Sequence, residues 1–163
     1  MTNKSNAVSM PDIASQPHTQ LEGKLDCVGM NEIEIPIRLA VEGPDPDDLR
    51  EVQCPARVSA FVNLERPEVR GIHMSRLYLH LDRTLAEHRM TPMALHRLLK
   101  DFLLSHEDLS TRAMVRIDFE YPVRRPALAS DNSGWRVYPL SIIASLEGRR
   151  LDIEVAFQVT YSS

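Results

Sequence analysis

The chain closes on "LDIEVAFQVTY", residues 151–161, in which Leu151, Ile153, Val155, Phe157, Val159 and Tyr161 alternate with Asp152, Glu154 and Gln158. A repeat of two throws successive side chains to opposite faces of an extended chain, so this stretch reads as a strand with one apolar face and cannot be an amphipathic helix. The same alternation appears in "EIEIPIRLAVE" (32–42), "ARVSAFVNL" (56–64) and "AMVRIDFEY" (113–121). Strands with one dry face need a second layer to cover that face.

The covering layer is signalled between the second and third strands, where the period changes. Met74, Leu77, Tyr78, Leu81 and Leu85 fall at helical spacing, with Ser75 as the expected N-cap. A second helix is expected to open on Thr91 as N-cap with Pro92 in the first helical position, where its missing donor costs nothing. Its buried stripe is Leu95, Leu98, Leu99, Phe102 and Leu103, and it should fade between Ser105 and Asp108.

Two strands remain. "WRVYPLSIIASL" (135–146) is less regular, and Pro139 suggests a bulge. The turn "EGRR", with Gly148 supplying a permissive backbone, joins it to the last strand as a hairpin. Pro36 in the first strand lacks a donor and points to a sheet edge or a bulge. The order is therefore ββααβββ. The class is α+β, an antiparallel sheet with two consecutive helices on one face. Open edges on such a sheet favour closure into a barrel with further copies, and isolated chains should self-associate.

Composition narrows the function classes. The chain has 163 residues, the size of one domain, with a net charge of −4. Nucleic-acid binders usually present a basic face, and the basic pairs Arg124–Arg125 and Arg149–Arg150 have acids near them. No nucleic-acid partner is expected. No apolar run approaches the ~20 residues a membrane helix needs, and the N-terminus lacks a signal-peptide core, so no membrane association and a cytoplasmic location are expected. Cys27 and Cys54 are then expected to be free thiols. Residues 1–20, polar and rich in Ser, Asn, Pro and Gln, read as a flexible arm.

One stretch gathers reactive groups. "RGIHMSRLYLHL", Arg70 to Leu81, places an imidazole, a hydroxyl and a guanidinium, those of His73, Ser75 and Arg76, within one turn at a helix mouth. The plain reading is a cap, a packed Met74 and a satisfied polar His73. The ligand reading is a pocket for an anion, drawn by free amides and the helix dipole and held by Arg76. The residues alone leave both open. His73, His80, His88 and His96 recur at seven or eight, whereas helical metal pairs sit three or four apart, so they read as solvated or capping groups. Asp118, Glu120, Asp152 and Glu154 lie on polar strand faces and read as solvated. No GxSxG, P-loop or GxGxxG motif is present.

"VGMNEIEIPIRL", "ARVSAFVNL", "RGIHMSRLY" and "IEVAFQVTYSS", in that order, resemble the N-terminal half of GTP cyclohydrolase I of the IB type, the prokaryotic, metal-dependent branch. The resemblance runs from about Val28 to Ser163, and "RGIHMSR" is its most specific part. It implies the tunnelling fold, or T-fold, in which two ββααββ modules share one polypeptide and assemble as a homotetramer. By that resemblance residues 21–148 form the first module, and residues 149–163 supply the first strand of a second.

The implied reaction converts GTP and water to dihydroneopterin triphosphate and formate, for tetrahydrofolate and, in many bacteria, queuosine synthesis. It would use a divalent metal: zinc, manganese or iron. Family members carry a Cys-Pro-Cys type segment, with the metal cysteine, after the strand matching "FQVTYSS". Catalytic and metal-binding residues are thus expected beyond Ser163, with none in this chain, which alone should be inactive and bind no metal. What carries over is "GIHMSR": His73, Ser75 and Arg76 are expected to bind substrate, with Arg76 toward the triphosphate. The competing expectation is a non-catalytic purine- or pterin-binding or regulatory subunit.

Overall fold

The computed structural model describes residues 23–42, 49–66, 72–107, 109–127 and 132–160. The expected arm, residues 1–20, and Tyr161 lie outside the described residues. The elements are β1 (Leu25–Glu42), β2 (Leu49–Leu64), α1 (Met74–Leu81), which runs into a π-helical turn over Asp82–Ala86, α2 (Pro92–Ser105), β3 (Arg112–Pro126), β4 (Ser133–Glu147) and β5 (Arg150–Phe157). The strands form one sheet in the order β1-β2-β3-β4-β5, antiparallel throughout. The fold is α+β: a five-stranded antiparallel sheet and two helices.

The period-two pattern becomes four apolar rows crossing the sheet. One runs Val28, Val62, Ala113, Leu146, Leu151; the next Met30, Ala60, Val115, Ala144, Ile153. The third is Ile33, Val58, Ile117, Ile142, Val155, and the fourth Ile35, Ala56, Phe119, Leu140, Phe157. Leu77, Leu81 and Leu85 from the first helical segment and Leu95, Leu98, Leu99 and Phe102 from α2 bury against this face. Of the residues expected on the first helical stripe, Met74 and Tyr78 instead face out. The cover does not reach β5 and the residues just after it, where Val155 is 54%, Phe157 67% and Val159 59% exposed.

α2 starts as its residues dictate. Thr91 is extended and its Oγ accepts from the Ala94 amide at 3.1 Å, with Pro92 in the first turn. Gly148 turns β4 into β5 at φ 58°. Pro36 lies in the edge strand β1, opposite Pro55. Neither can donate, so the two form a non-hydrogen-bonded pair. Arg38 closes part of that edge: its carbonyl accepts from the Met90 amide at 2.8 Å, and its Nε donates to the Ala86 carbonyl at 2.7 Å. The π-helical turn is thereby tied to β1.

Two expectations are corrected. Pro139 makes no bulge: the β3–β4 register runs unbroken from Arg112↔Glu147 to Pro126↔Ser133. The Pro139 carbonyl accepts from the Gln158 amide. A strand residue points its nitrogen and carbonyl the same way, so the missing donor faces the end of β5 and costs β3 nothing. β1 also begins at Leu25, before the alternation at Glu32. Register shifts between Leu25 and Val28 and between Met30 and Ile33 break the period there. At the second, Glu32 adopts φ 52°, and Ser59 Oγ accepts from the Glu32 amide at 3.1 Å while donating to Asn31 Oδ1. A side chain thus replaces the ladder partner that the bulge removes.

Away from the helices the sheet is polar. Glu34, Arg57, Asp118 and Ser141 form one cross-strand row, continued by Ala156. Arg116 grips Asp118 with two donors, Nε at 2.8 Å and Nη2 at 3.0 Å, and Ser141 Oγ also donates to Asp118. The Arg116 guanidinium holds the Asp118 carboxyl below the usual aspartate range, against partial burial, with Ser141 assisting.

Two outcomes follow from this packing. A Cβ built on Gly29 would stand 1.9 Å from the Ala60 carbonyl oxygen, a backbone atom unable to swing away. Gly29→Ala is expected to lower stability by about 2–3 kcal/mol in urea unfolding; a loss under about 0.5 kcal/mol would contradict the close approach. Because the folded Asp118 carboxyl ionises more readily than the unfolded one, its contribution is present above about pH 4 and is lost as pH falls through the lower folded value. Asp118→Asn should flatten the acid arm of the stability–pH curve below about pH 4. Being half-exposed and screened, the pair should contribute little at neutral pH. An unchanged acid arm would contradict the assignment.

Candidate functional site

The helix mouth singled out in the sequence lies at a corner where four elements meet: the end of β2, the start of α1, the end of α2 and the start of β3. Asn63, 9% exposed, organises this corner. Its Oδ1 accepts from the Thr111 amide at 2.9 Å and the Arg112 amide at 2.8 Å, and its Nδ2 donates to Glu65 Oε1 and Thr111 Oγ1. All four bonding positions of the side-chain amide are filled. Ser110 Oγ donates to the Asn63 carbonyl at 2.6 Å, and the Glu65 amide donates to the Leu109 carbonyl. Lys24 pairs with Glu65 at 2.5 Å, and its hydrogen bond holds the Glu65 carboxyl below the ordinary range.

Against this frame α1 begins. The helix starts at Met74, and His73, extended at φ −86° and ψ 93°, is its N-cap. The expectation that Ser75 caps is therefore corrected. Ser75 is already inside the first turn, and no side chain caps this helix. The chain leaves the extended region two residues too early for the Ser75 hydroxyl to sit where an N-cap accepts from the free amides ahead of it. The His73 ring and the Ser75 hydroxyl are exposed and make no hydrogen bond among the described residues. Arg76 is exposed, and its Nη1 donates to the Ser105 carbonyl at 2.8 Å, closing the last turn of α2. That leaves its other donors facing solvent.

The structure thus brings His73 and Arg76 to the C-terminal end of α2 and leaves an imidazole, a hydroxyl and most of a guanidinium open on one turn. Such a surface can donate several hydrogen bonds and one positive charge to a polar, anionic ligand. His80 packs edge-on against the Phe102 ring, and His88 Nδ1 meets the Arg83 carbonyl, so neither joins the corner.

A residue of this corner absent from the sequence reading is His106. It is 2% exposed. Its Nδ1 lies 2.9 Å from the Phe102 carbonyl, and its Nε2 accepts from the His73 amide at 3.2 Å. The signal was present: Leu95, Leu99, Phe102 and His106 fall on one helical stripe, so the position is buried by the same periodicity that buries its neighbours.

A second concave region lies on the open face of the sheet. It is a cleft of about 930 Å³, lined on this polar side by Glu34, Arg57, Asp118, Glu120 and Ser141. Arg57 makes no hydrogen bond or ion pair among the described residues. Carboxylates outnumber free cations there, which disfavours an anionic ligand.

Among the described residues no three His, Cys, Asp or Glu side chains lie together as a metal ion would need. The described residues therefore do not fit a metal, and no chemistry is assigned to one. Cys27 is exposed and Cys54 buried; both are free thiols, as expected, and burial pushes the Cys54 thiol up. No helix among the described residues is long and apolar enough to cross a membrane.

Residues 10–163 match the family model GCHY-1, described as type I GTP cyclohydrolase FolE2. Curated relatives agree. The GTP cyclohydrolase FolE2 of Pseudoalteromonas translucida (strain TAC 125) is 42% identical over 154 residues, 94% of this chain and 49% of the relative. That of Hydrogenovibrio crunogenus is 41% identical over 154 residues, covering 94% and 48%. That of Bdellovibrio bacteriovorus is 41% identical over 155 residues, covering 95% and 49%. The chain spans about half the length of the curated relatives it matches. It belongs to the type I GTP cyclohydrolase FolE2 family.

Proposed function

We propose that this chain serves a GTP cyclohydrolase reaction and meets GTP at the corner formed by His73, Ser75 and Arg76. The family match over residues 10–163 carries the reading. In that reaction water adds to the carbon between the two imidazole nitrogens of the guanine and the ring opens. A second water releases that carbon as formate, and the opened ribose rearranges and condenses with the freed amine, losing one water, to give dihydroneopterin triphosphate. The family resemblance attributes the water's activation to a divalent metal such as zinc, manganese or iron. The described residues are assigned binding and orientation only.

Their roles follow from their groups. Arg76 offers the donors not used by the Ser105 carbonyl, and a guanidinium pairs well with phosphate oxygens. The exposed Ser75 hydroxyl and His73 ring add hydrogen-bonding groups beside it. The first-turn amides of α1, which no side chain caps, favour the same negative charge.

The strand and helix succession and the uncovered apolar face of β5 support the tunnelling fold. In this reading residues 21–148 form a first module and β5 opens a second, and copies assemble as a homotetramer. Closure of the sheet would cover Val155, Phe157 and Val159.

The test is calorimetric titration of the full chain with GTP, beside formate release with and without zinc, manganese or iron. GTP is expected to bind, and Arg76→Ala to weaken it about tenfold or more, as loss of a charge-assisted hydrogen bond should. Formate release would assign turnover to this chain. Binding without formate is the behaviour of a purine- or pterin-binding subunit. A chain that does not bind GTP contradicts the proposal.

A further inference from the structure

We infer that His106 is the positioning residue of the His73–Arg76 turn, holding the start of α1 against the end of α2 through its two ring nitrogens. The inference rests on the reading that this turn meets the ligand, and it assigns that turn's placement to a side chain on a different helix.

The ring has no freedom in how it bonds. A backbone amide can only donate, so Nε2, 3.2 Å from the His73 nitrogen, must be bare. A carbonyl can only accept, so Nδ1, 2.9 Å from the Phe102 oxygen, must carry the proton. The two contacts select one tautomer, the neutral ring protonated on Nδ1. Ser105 Oγ supports the arrangement, donating to the same Phe102 carbonyl at 3.0 Å and lying 3.0 Å from Nδ1.

The anchor is stiff on its own side. The His106 amide donates to the Leu103 carbonyl, and its carbonyl accepts from the Leu109 and Ser110 amides, at 3.1 and 3.2 Å. Leu109 is bonded to Glu65, and Ser110 to Asn63, so the ring is fixed to the β2 corner as well as to α2. Ile72 and Leu77 on either side of the turn are buried in the core and fix its depth. Among the described residues α1 has no side-chain cap, and the polar ties between this turn and the end of α2 are the His106 ring and the bond from Arg76 to the Ser105 carbonyl, next to His106 in the chain. The polar side of the placement of His73, Ser75 and Arg76 therefore runs through His106.

Two substitutions separate the halves of the device. In His106→Gln the longer side chain sets an amide oxygen near the place of Nε2 and keeps an acceptor for His73. In His106→Asn the shorter amide sets a nitrogen near the place of Nδ1, keeps the donor to Phe102 and abandons His73. The measurements are hydrogen exchange at the His73 amide, the ¹⁵N shifts of the His106 ring, and GTP titration of the full chain and both variants.

The expected result is a bare Nε2 and protonated Nδ1 in the ring spectrum. His73 exchange should be about tenfold faster in His106→Asn than in either other protein, with the Leu98 and Leu99 amides unchanged. GTP affinity should fall in His106→Asn and be largely restored in His106→Gln. Equal His73 exchange in the two variants would overturn the inference. So would a proton on Nε2, or differing exchange with equal GTP affinity. If the unaltered chain binds no GTP while His73 exchange follows the expected pattern, the functional reading fails and the positioning contact stands.

Discussion

Everything in this fold hangs from one burial event, the closure of two helices over four apolar rows of a single sheet. Leu77, Leu81 and Leu85 come from the first helical segment, and Leu95, Leu98, Leu99 and Phe102 from α2. They meet Val58, Val62, Val115 and Ile117 on the sheet, all nearly inaccessible to solvent. Each large side chain so buried contributes roughly 1.5–3 kcal/mol. The polar devices at the periphery hold elements in register only because this burial has already brought them together. The Asn63 clamp, the Arg38 tie and the His106 contact each join segments that are distant in sequence.

That order of causes explains how the corner is built. α2 is fixed along its length by its apolar stripe, and its end delivers the Ser105 carbonyl and the His106 ring to one place. α1 is short and uncapped, so it takes its starting position from that place. The groups left facing outward are the ones with chemistry to offer. The open face of the sheet differs: Arg116, Asp118 and Ser141 mostly satisfy one another. That network presents little unspent bonding capacity to a ligand, and Arg57 beside it is outnumbered by Glu34, Asp118 and Glu120.

How far the sequence discloses this depends on the range of the cause. Local causes are legible: alternation in 151–157, the Thr91–Pro92 start of α2 and the Gly148 turn each depend on neighbours in the chain. Gly29 is opaque, because the reason for it is the Ala60 carbonyl on the next strand. Ser59 reads as one more polar strand residue until it is seen to serve the bulge at Asn31 and Glu32. Pro139 suggests a broken ladder only while the direction of its nitrogen is unknown. At the helix mouth the residue types were readable and their roles were not. A two-residue difference in the helix start moves the cap from Ser75 to His73, and the partner that matters, His106, lies at the far end of another helix.

The central claim is that ligand recognition belongs to the corner between α1 and α2 and not to the open face of the sheet. Backbone amide shift mapping of the ¹⁵N-labelled chain during a GTP titration tests it most directly. The account predicts saturable shifts at His73, Ser75 and Arg76, with Arg57, Asp118 and Ser141 unmoved. Shifts confined to the open face, or none at saturating GTP, would contradict it.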